Sequence, residues 1–301
     1  MAFSVKKVRT SDEKNQFIRL PWKIYDGIPY WIPPLVSERE KFLNPKINPF
    51  FKESEVDLFL VISSEQIPVG RIALTINHAH NKIYSERVGF FGMFEAINDD
   101  RVSDILFKEA ESWCRRRRLD NLLGPVSLST NHECGLLVEG FDTPPVIGIP
   151  YNPAYYMDLL KNCELTKVKD LVSLRLDLIH IPEYLESSVS RLRKRGRFLI
   201  RPLNLNEFNK ELNKIWEVYN SSWSANWGFV PMSREEFEYF ANEMRSFIKS
   251  EFCFIAEVKG EFAGFSLTLP NINEVLKKMN GGLFPFGWAK FLLGKGNIKI
   301  Y

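Results

Sequence analysis

Residues Gly124–Tyr156, with the sequence GPVSLSTNHECGLLVEGFDTPPVIGIPYNPAYY, are too polar and too rich in turn formers to be an ordinary core segment. Polar and ionisable side chains alternate with apolar runs, and the stretch then closes on several prolines and a Tyr155-Tyr156 pair. Because proline fixes φ and removes an N–H donor, the pattern predicts a stiffened loop. Loops held by a rigid scaffold are where binding and chemistry concentrate, so this loop is the candidate functional segment. A purely structural crossover between two elements is the alternative.

Apolar patterns before and after this loop predict a mixed α/β unit with a central sheet. Thr10 and Glu13 have the spacing of a capping box, which opens a helix towards Tyr25. The proline-rich segment Asp26–Phe51 is predicted to be a meandering, partly extended arm, and Asp99–Arg117 to be an amphipathic helix. Strands are predicted at 3–8, 56–62, 68–77, 87–94, 122–126 and 171–178, with a helix at 153–161 between the last two.

After a break near Ile179–Pro182 the same order of elements begins again. A basic helix leads into a predicted strand at Phe198–Pro202, two helices, and a hairpin that turns at Lys259-Gly260. We therefore predict two domains of one fold, residues 1–178 and residues 179–301. The second copy is expected to be incomplete, because the chain stops at Asn297–Tyr301, which reads as the opening of its fourth strand.

Length and composition limit the possible functions. The 301 residues are enough for two ordinary domains, and a 45% hydrophobic content can fill large cores. A net charge of only +3 argues against a nucleic-acid binder. The four cysteines form no CxxC pair, which suits a reducing cytoplasm and predicts no metal site. The N-terminus lacks a signal core and no apolar run reaches the length of a membrane span, so no membrane partner is expected.

Several long phrases spread over about residues 18–176 are distinctive: RLPWKIYDGIPYWIPPL, LNPKINPFF, GRIAL, GFFGMFEAIND, GPVSLSTNHECGLLVEGFDTPP and YNPAYY. These phrases resemble a group of bacterial proteins in the GNAT superfamily of acyl-CoA N-acyltransferases. The resemblance implies a GNAT-like fold and transfer of an acyl group from acetyl-CoA or another acyl-CoA to a small-molecule amine. It leaves the acceptor, the acyl length and the oligomeric state open.

The segment that corresponds to the cofactor loop of that superfamily does not suit a pyrophosphate. GNAT enzymes hold this group with a glycine-rich turn before a helix, whereas Phe94–Arg101 contains no glycine and places Asp99 and Asp100 at the positive helix end. The first half is therefore not expected to bind acyl-CoA, and no cofactor-binding residue is assigned. The corresponding loop of the second half would follow Tyr301, and Gly294-x-Gly296 precedes a predicted strand instead of opening a helix.

The candidate site residues lie in the loop Gly124–Tyr156. The resemblance implies a tyrosine that protonates the departing thiolate, and Tyr156 is the candidate; a packed core phenol is the alternative. Glu133 is the candidate base for the amine, with His132 beside it. The residues proposed to bind substrate are Asn131, His132, Glu139, Tyr151, Asn152 and Tyr155.

Two other functions are compatible with the residues. A non-catalytic GNAT-fold protein would bind a ligand or partner through the same loop. A transferase that uses aminoacyl-tRNA would use the basic helix around Arg191–Arg197.

Overall fold

The computed structural model describes residues 2–176, 181–196 and 198–282. Two sheets organise these residues, and the mixed α/β fold predicted from the sequence is confirmed. The first sheet has five strands in the order β1-β2-β3-β4-β5, antiparallel except for the parallel pair β4-β5. Its strands are β1 (Phe3–Lys7), β2 (Ser54–Ser63), β3 (Pro68–Asn77), β4 (Val88–Ala96) and β5 (Asn121–Leu123).

Two helices cover one face of this sheet. Helix α5 (Asp100–Arg116) buries one stripe of side chains, among them Leu106 and Trp113, against strand residues such as Leu74 and Phe91. Full burial of each large apolar side chain contributes roughly 1.5–3 kcal/mol, so this layer is a major source of stability. The first-half helices are α1 (Ser11–Arg19), α2 (Pro21–Ile24), α3 (Val36–Phe42), α4 (His78–Tyr84), α5 (Asp100–Arg116) and α6 (Tyr156–Asn162), and α6 shares this face with α5.

The opposite face is covered by the first helices and the arm that follows them. The predicted capping box is confirmed, because Thr10 accepts from the Glu13 amide while the Glu13 carboxylate accepts from the Thr10 amide. The predicted helix towards Tyr25 is interrupted at Leu20, and Pro21 begins α2. The arm is predicted to be meandering and partly extended, and within it the structure forms α3, whose seven residues lie between the prolines and contain none.

Strand β4 is paired on its β5 side only at its beginning. The parallel register runs from Val88↔Asn121 to Phe90↔Leu123, so the predicted strand 122–126 is shorter than expected. The chain then crosses β4 closely at Gly92, where an added Cβ would lie 2.1 Å from the Val126 carbonyl oxygen. Beyond that crossing, the backbone groups at Ala96 on this edge of β4 form hydrogen bonds with side chains instead of with a strand.

The second sheet is antiparallel throughout, and its strands lie in the order β6 (Phe198–Pro202), β7 (Cys253–Val258) and β8 (Glu261–Leu267). The order of elements here, a strand, then helices, then a pair of strands, is the same as the order from β1 to β3. The proposal that the two halves are copies of one fold stays a prediction. The proposed boundary at residue 178 lies outside the described residues, as do Gly294, Gly296 and the predicted strand 297–301. The elements are α7 (Glu183–Arg195), β6 (Phe198–Pro202), α8 (Phe208–Trp223), α9 (Arg234–Met244), β7 (Cys253–Val258), β8 (Glu261–Leu267) and α10 (Asn273–Met279).

Hydrogen bonds from first-half side chains to second-half carbonyls join the two halves. Tyr84 Oη donates to the Phe229 carbonyl (2.9 Å), and Thr130 Oγ1 donates to the Gly228 carbonyl (2.8 Å). Asn131 Nδ2 donates to the Val230 carbonyl (2.9 Å). Three consecutive carbonyls of the second half are thereby held by the first.

The strand predicted at 171–178 is not formed over residues 171–176, which have no regular secondary structure and are exposed. Alternating leucines such as Leu174 and Leu176 gave a strand pattern, but the segment pairs with no strand among those described. The last two residues of the predicted strand lie outside the described part of the chain.

Candidate active site

A buried ion pair joins β3 and β4 near the end of β4. Arg71 and Glu95 are directly opposed in the antiparallel register, and Arg71 Nη2 lies 3.3 Å from Glu95 Oε1. Arg71 Nη1 also donates to the Phe17 carbonyl at 2.6 Å, which fixes the guanidinium against α1. Arg71 Nε has no hydrogen-bond partner among the described residues, so the cluster retains one buried donor. A buried charge without full compensation is costly, and such features concentrate at functional sites.

Two tyrosines take the place of a neighbouring strand at Ala96. Tyr156 Oη accepts from the Ala96 amide (3.0 Å), and Tyr155 Oη donates to the Ala96 carbonyl (2.8 Å). Tyr156 Oη also donates to Glu95 Oε2 at 2.6 Å. The Tyr155-Tyr156 pair therefore satisfies the edge of β4 where β5 no longer reaches it, and it connects that edge to the buried carboxylate.

The protonation of this cluster is shifted by its environment. Burial raises the pKa of the Glu95 carboxyl, although the Arg71 charge and tyrosine hydroxyls oppose the shift. Burial, followed by the charge of Glu95, raises the pKa of Tyr156 well above its ordinary value. The same two causes raise the pKa of Tyr155 to about 12. The phenols are therefore neutral donors, and the carboxyl is poised to accept a proton closer to neutrality than an exposed glutamate.

A bulge interrupts β4 next to this cluster. Arg71 pairs with Glu95 and Ala73 with Gly92, so Met93 and Phe94 together face a single residue of β3. Met93 has φ of 48°, a left-handed conformation that costs a non-glycine residue on the order of 1 kcal/mol. Bulges re-aim backbone groups and side chains, and this one leaves the strand ladder broken beside Glu95.

His132 and Glu133, which the sequence linked to Tyr156, belong to a different cluster. They lie in a turn between the bridged residues Val126 and Cys134. His132 Nδ1 lies 2.9 Å from Ser129 Oγ, and its ring packs edge-on against Phe42. Burial lowers the pKa of His132 to about 4, so its imidazole is neutral at physiological pH.

The Glu133 carboxylate pairs with α3. Arg39 Nη2 donates to Glu133 Oε1 at 2.8 Å, and Arg39 also lies beside Glu38. Burial lowers the pKa of the Arg39 guanidinium, but the two carboxylates outweigh burial and the net shift is upward. Thus the two proposed catalytic residues have different partners: Glu95 for Tyr156 and Arg39 for Glu133.

Other residues predicted to bind substrate have structural partners. Asn131 bridges the halves, because its Oδ1 accepts from Tyr219 Oη (3.0 Å) in addition to the bond to Val230. Buried Asn152 accepts from the Leu137 amide at 2.7 Å and thereby staples the loop. Tyr151 Oη donates to the Phe141 carbonyl (2.9 Å), while Glu139 is exposed.

Sequence reasoning did not find Glu95, Arg71 or Tyr25. The Tyr25 hydroxyl donates to the Tyr151 carbonyl (3.0 Å), and its pKa is raised well above the ordinary value by burial and then by Glu95. The available signal was one carboxylate in the otherwise apolar run GFFGMFEA. A single ionisable residue in a buried strand requires a partner, but the sequence does not show where that partner lies.

The turn between β4 and α5 does not fit a pyrophosphate. Asp99 caps α5, its Oδ1 accepting from the Arg101 amide at 3.0 Å, and the Arg101 guanidinium pairs with the same carboxylate. A negative charge already occupies the positive helix end, as expected from the sequence.

A cleft of about 820 Å³ lies between the two halves. Its floor is apolar, with Phe90 and Val126 buried beneath it, and Trp227 contributes from the second half. Its rim is polar and includes Glu86 and Asp120. Clefts of this size at domain interfaces are common sites for small ligands.

Within the described ranges, no helix combines the length and the apolar character needed to cross a bilayer. No protein-family model matches the chain.

Two curated proteins are similar to nearly the whole chain. The bacterial ceramide synthase of Caulobacter vibrioides is 38% identical over 291 residues, covering 96% of this chain and 75% of that protein. Protein YghO of Escherichia coli is also 38% identical over 291 residues, covering 95% of this chain and 73% of its own length. Among solved structures, a conserved Enterococcus faecalis protein described as a "Probable N-Acyltransferase" is 11% identical, with a TM-score of 0.43. The alignment covers 99% of this chain and 64% of that protein. At 38% identity over most of both curated proteins, this chain belongs to the family that contains the bacterial ceramide synthase and Protein YghO.

Proposed function

We propose that this protein is an N-acyltransferase of the GNAT type, which transfers an acyl group from an acyl-CoA thioester to the primary amine of a long-chain amino alcohol. The observation that carries the proposal is the 38% identity over 291 residues with a bacterial ceramide synthase, a name that denotes formation of such an amide. The polar cluster at the end of β4 supplies groups suited to the reaction. Because Asp99 already occupies the N-terminus of α5, the proposal places only the thioester at this cluster and the CoA pyrophosphate outside the β4–α5 turn.

The chemistry requires one proton to move from the amine to the leaving thiolate. The amine nitrogen attacks the thioester carbonyl carbon, and a backbone amide of the Met93-Phe94 bulge stabilises the resulting oxyanion. Glu95 accepts the proton that the amine loses. Tyr156 gives its own proton to the thiolate as the carbon–sulfur bond breaks, and it recovers one from Glu95, whose Oε2 lies 2.6 Å from its hydroxyl.

The inter-half cleft is the proposed site of the alkyl chain. Its apolar floor at Phe90 and Val126 suits hydrocarbon, and its polar rim suits the end of an amphipathic molecule. The floor residues lie on the same strand and crossing segment that lead to the bulge, since Phe90 belongs to β4 and Val126 donates its amide to the Phe91 carbonyl. Phe90 and Glu95 are separated by five residues of β4, roughly 17 Å at about 3.4 Å per residue, so an alkyl chain in the cleft would have to extend along β4 for its amine to reach the cluster.

The test is a coupled measurement of thiol release and amide formation. The chain is incubated with a long-chain acyl-CoA and a long-chain amino alcohol, free CoA is measured with a thiol reagent, and the amide is measured by mass spectrometry. We expect both products in equal amounts, and Glu95→Gln to lower kcat by about 10²–10⁴-fold, as loss of a general base does. Glu111→Gln, at the exposed ion pair with Arg115 on α5 and outside the cleft, is the matched control and keeps kcat.

Two results would count against the proposal. If neither this chain nor the Caulobacter relative forms amide or gives calorimetric heat with acyl-CoA, a non-catalytic binding protein is the better description. If amide forms at an unchanged rate in Glu95→Gln, the transfer stands but its assignment to the β4 cluster is wrong.

A further inference from the structure

Exposed apolar side chains concentrate in two neighbouring segments, residues 168–176 and 181–192. Ten of the 25 large hydrophobic side chains that are exposed among the described residues lie between Val168 and Leu192. Leu174 is 84% exposed and Val172 is 78% exposed. So many exposed apolar side chains within one short segment are typical of an interaction surface.

Helix α7 is amphipathic and has no buried residue. Leu185, Val189 and Leu192 follow one another at spacings of four and three residues, so they share one face at about 3.6 residues per turn. These three side chains are 43–48% exposed. On the same helical geometry Arg193 flanks this face on one side, and Arg191 and Arg195 flank it on the other.

Positive charge accompanies the apolar residues. Residues 167–195 contain seven lysines and arginines against four aspartates and glutamates, a net charge of +3 that equals that of the whole chain. Within the described ranges, Arg193, Lys194 and Arg195 form no ion pair with a carboxylate. The cations are therefore available to an anionic partner.

We propose that α7, together with the exposed apolar residues of 168–176, is a peripheral membrane-binding surface for anionic phospholipid. The helix lies in the plane of the interface, with Leu185, Val189 and Leu192 among the acyl chains and the flanking arginines among the phosphates. An RNA would use the cations but leave the apolar face exposed to water, so a lipid surface accounts for both features. The inference goes beyond acyl transfer and does not depend on it. It also departs from the expectation of no membrane partner, which considered only signal and membrane-spanning segments.

Vesicle cosedimentation tests this surface. The chain is mixed with vesicles of phosphatidylcholine alone, or of phosphatidylcholine with phosphatidylglycerol, at low and high salt. We expect binding to the anionic vesicles only, weakened by salt. The variant Leu185→Gln, Val189→Gln, Leu192→Gln keeps helix-forming residues, and we expect its partition coefficient to fall at least about tenfold.

The control variant removes as many exposed aliphatic side chains elsewhere. Ile47, Ile67 and Ile83 are 42–51% exposed, and their triple substitution by glutamine should leave vesicle binding unchanged. Circular dichroism establishes that both variants remain folded. Failure of the unmodified chain to bind anionic vesicles overturns the proposal, as does equal loss in both triple variants.

Two other occupants of the face would be recognised in the same experiments. A dimer in gel filtration that becomes a monomer on the α7 substitutions shows that a second copy covers the face, and it overturns the lipid proposal. A tRNA shift that is lost in Arg193→Gln, Arg195→Gln, without vesicle binding by the unmodified chain, overturns it in favour of RNA.

Discussion

The Tyr156 hydroxyl stands 2.6 Å from Oε2 of Glu95 and 3.0 Å from the Ala96 nitrogen, so one phenol ties a buried carboxylate to the open edge of β4. We expect Tyr156→Phe to lower the free energy of unfolding by about 2–3 kcal/mol, since it leaves the Ala96 amide without its acceptor and removes a charged hydrogen bond. Tyr155→Phe is the comparison, because it removes one donor to the Ala96 carbonyl and should cost about 1 kcal/mol. Urea unfolding measures both, and equal costs would contradict the unequal roles.

Removing one charge of the Arg71–Glu95 pair should lower the free energy of unfolding. Both side chains are 11% exposed, and Glu95→Gln leaves the buried guanidinium without a counter-charge, so we expect a cost of about 3 kcal/mol. The exposed pair Arg87–Asp120 is the control, and Asp120→Asn should cost less than about 1 kcal/mol. Chemical denaturation at neutral pH compares them. A small cost at Glu95 would mean that water reaches the pair.

The crossing at Gly92 should exclude any side chain. An alanine Cβ there would lie 2.1 Å from the Val126 carbonyl oxygen, a backbone atom that cannot rotate away. We expect Gly92→Ala to destabilise the protein by more than about 3 kcal/mol or to prevent folding. Gly264 in β8 has open space around its Cβ position, and Gly264→Ala should be neutral or slightly stabilising. Thermal unfolding of the two variants distinguishes a packing cause from a general intolerance of alanine.

His132 should make stability fall in mild acid. Because burial lowers its pKa from 6.5 to about 4, the unfolded chain binds the proton more readily than the folded chain between these values. The stabilisation is therefore complete above pH 6.5 and is lost as the pH falls towards 4, by up to about 3 kcal/mol at about 1.4 kcal/mol per unit. His132→Gln should flatten the pH dependence of urea unfolding in this window. An unchanged slope would show that His132 is solvated.

The tie between Asn131 and Tyr219 should show energetic coupling across the halves. Tyr219 Oη donates to Asn131 Oδ1 at 3.0 Å, so Asn131→Ala and Tyr219→Phe remove the same bond. A double-mutant cycle should give a coupling of about 0.5–1.5 kcal/mol. A control cycle that pairs Asn131→Ala with Asp120→Asn should give about zero. If the two free-energy costs are additive in the first cycle, the bond to Tyr219 does not stabilise the fold, and Asn131 remains a candidate for the substrate-binding role predicted from the sequence.

Local sequence patterns predicted many helices and strands, because these elements depend mainly on residues that are close in sequence. The Thr10-Glu13 capping box and the strands 68–77 and 198–202 have the predicted positions. Helix α4 was missed because Asn77, which caps it by accepting from the His80 amide, also ends a strand and resembles a turn. The strand predicted at 171–176 is absent from the structure because alternating apolar and polar residues also occur in an exposed segment without regular secondary structure.

The site was only partly predictable from the sequence. Tyr155 and Tyr156 stand out as an aromatic pair beside prolines, and the structure places both at the end of β4. Their partner Glu95 is about 60 residues earlier, and Arg71 reaches it only through the β3–β4 register. Such a register depends on a bulge and on long-range pairing, which no local pattern records.

The hydrogen bonds between the halves depend on side-chain identity in the first half but not in the second. At Phe229 and Val230 the acceptors are main-chain carbonyls, which persist whatever side chain stands there. Tyr84, Thr130 and Asn131 supply the donors from their side chains, and one replacement at any of them removes a tie outright. Among apolar residues that fill the same buried space, replacement at Phe229 or Val230 therefore keeps the hydrogen bond, whereas replacement at Tyr84, Thr130 or Asn131 does not. A saturation library across both segments would reveal this one-sided tolerance as a difference in the number of permitted residue types.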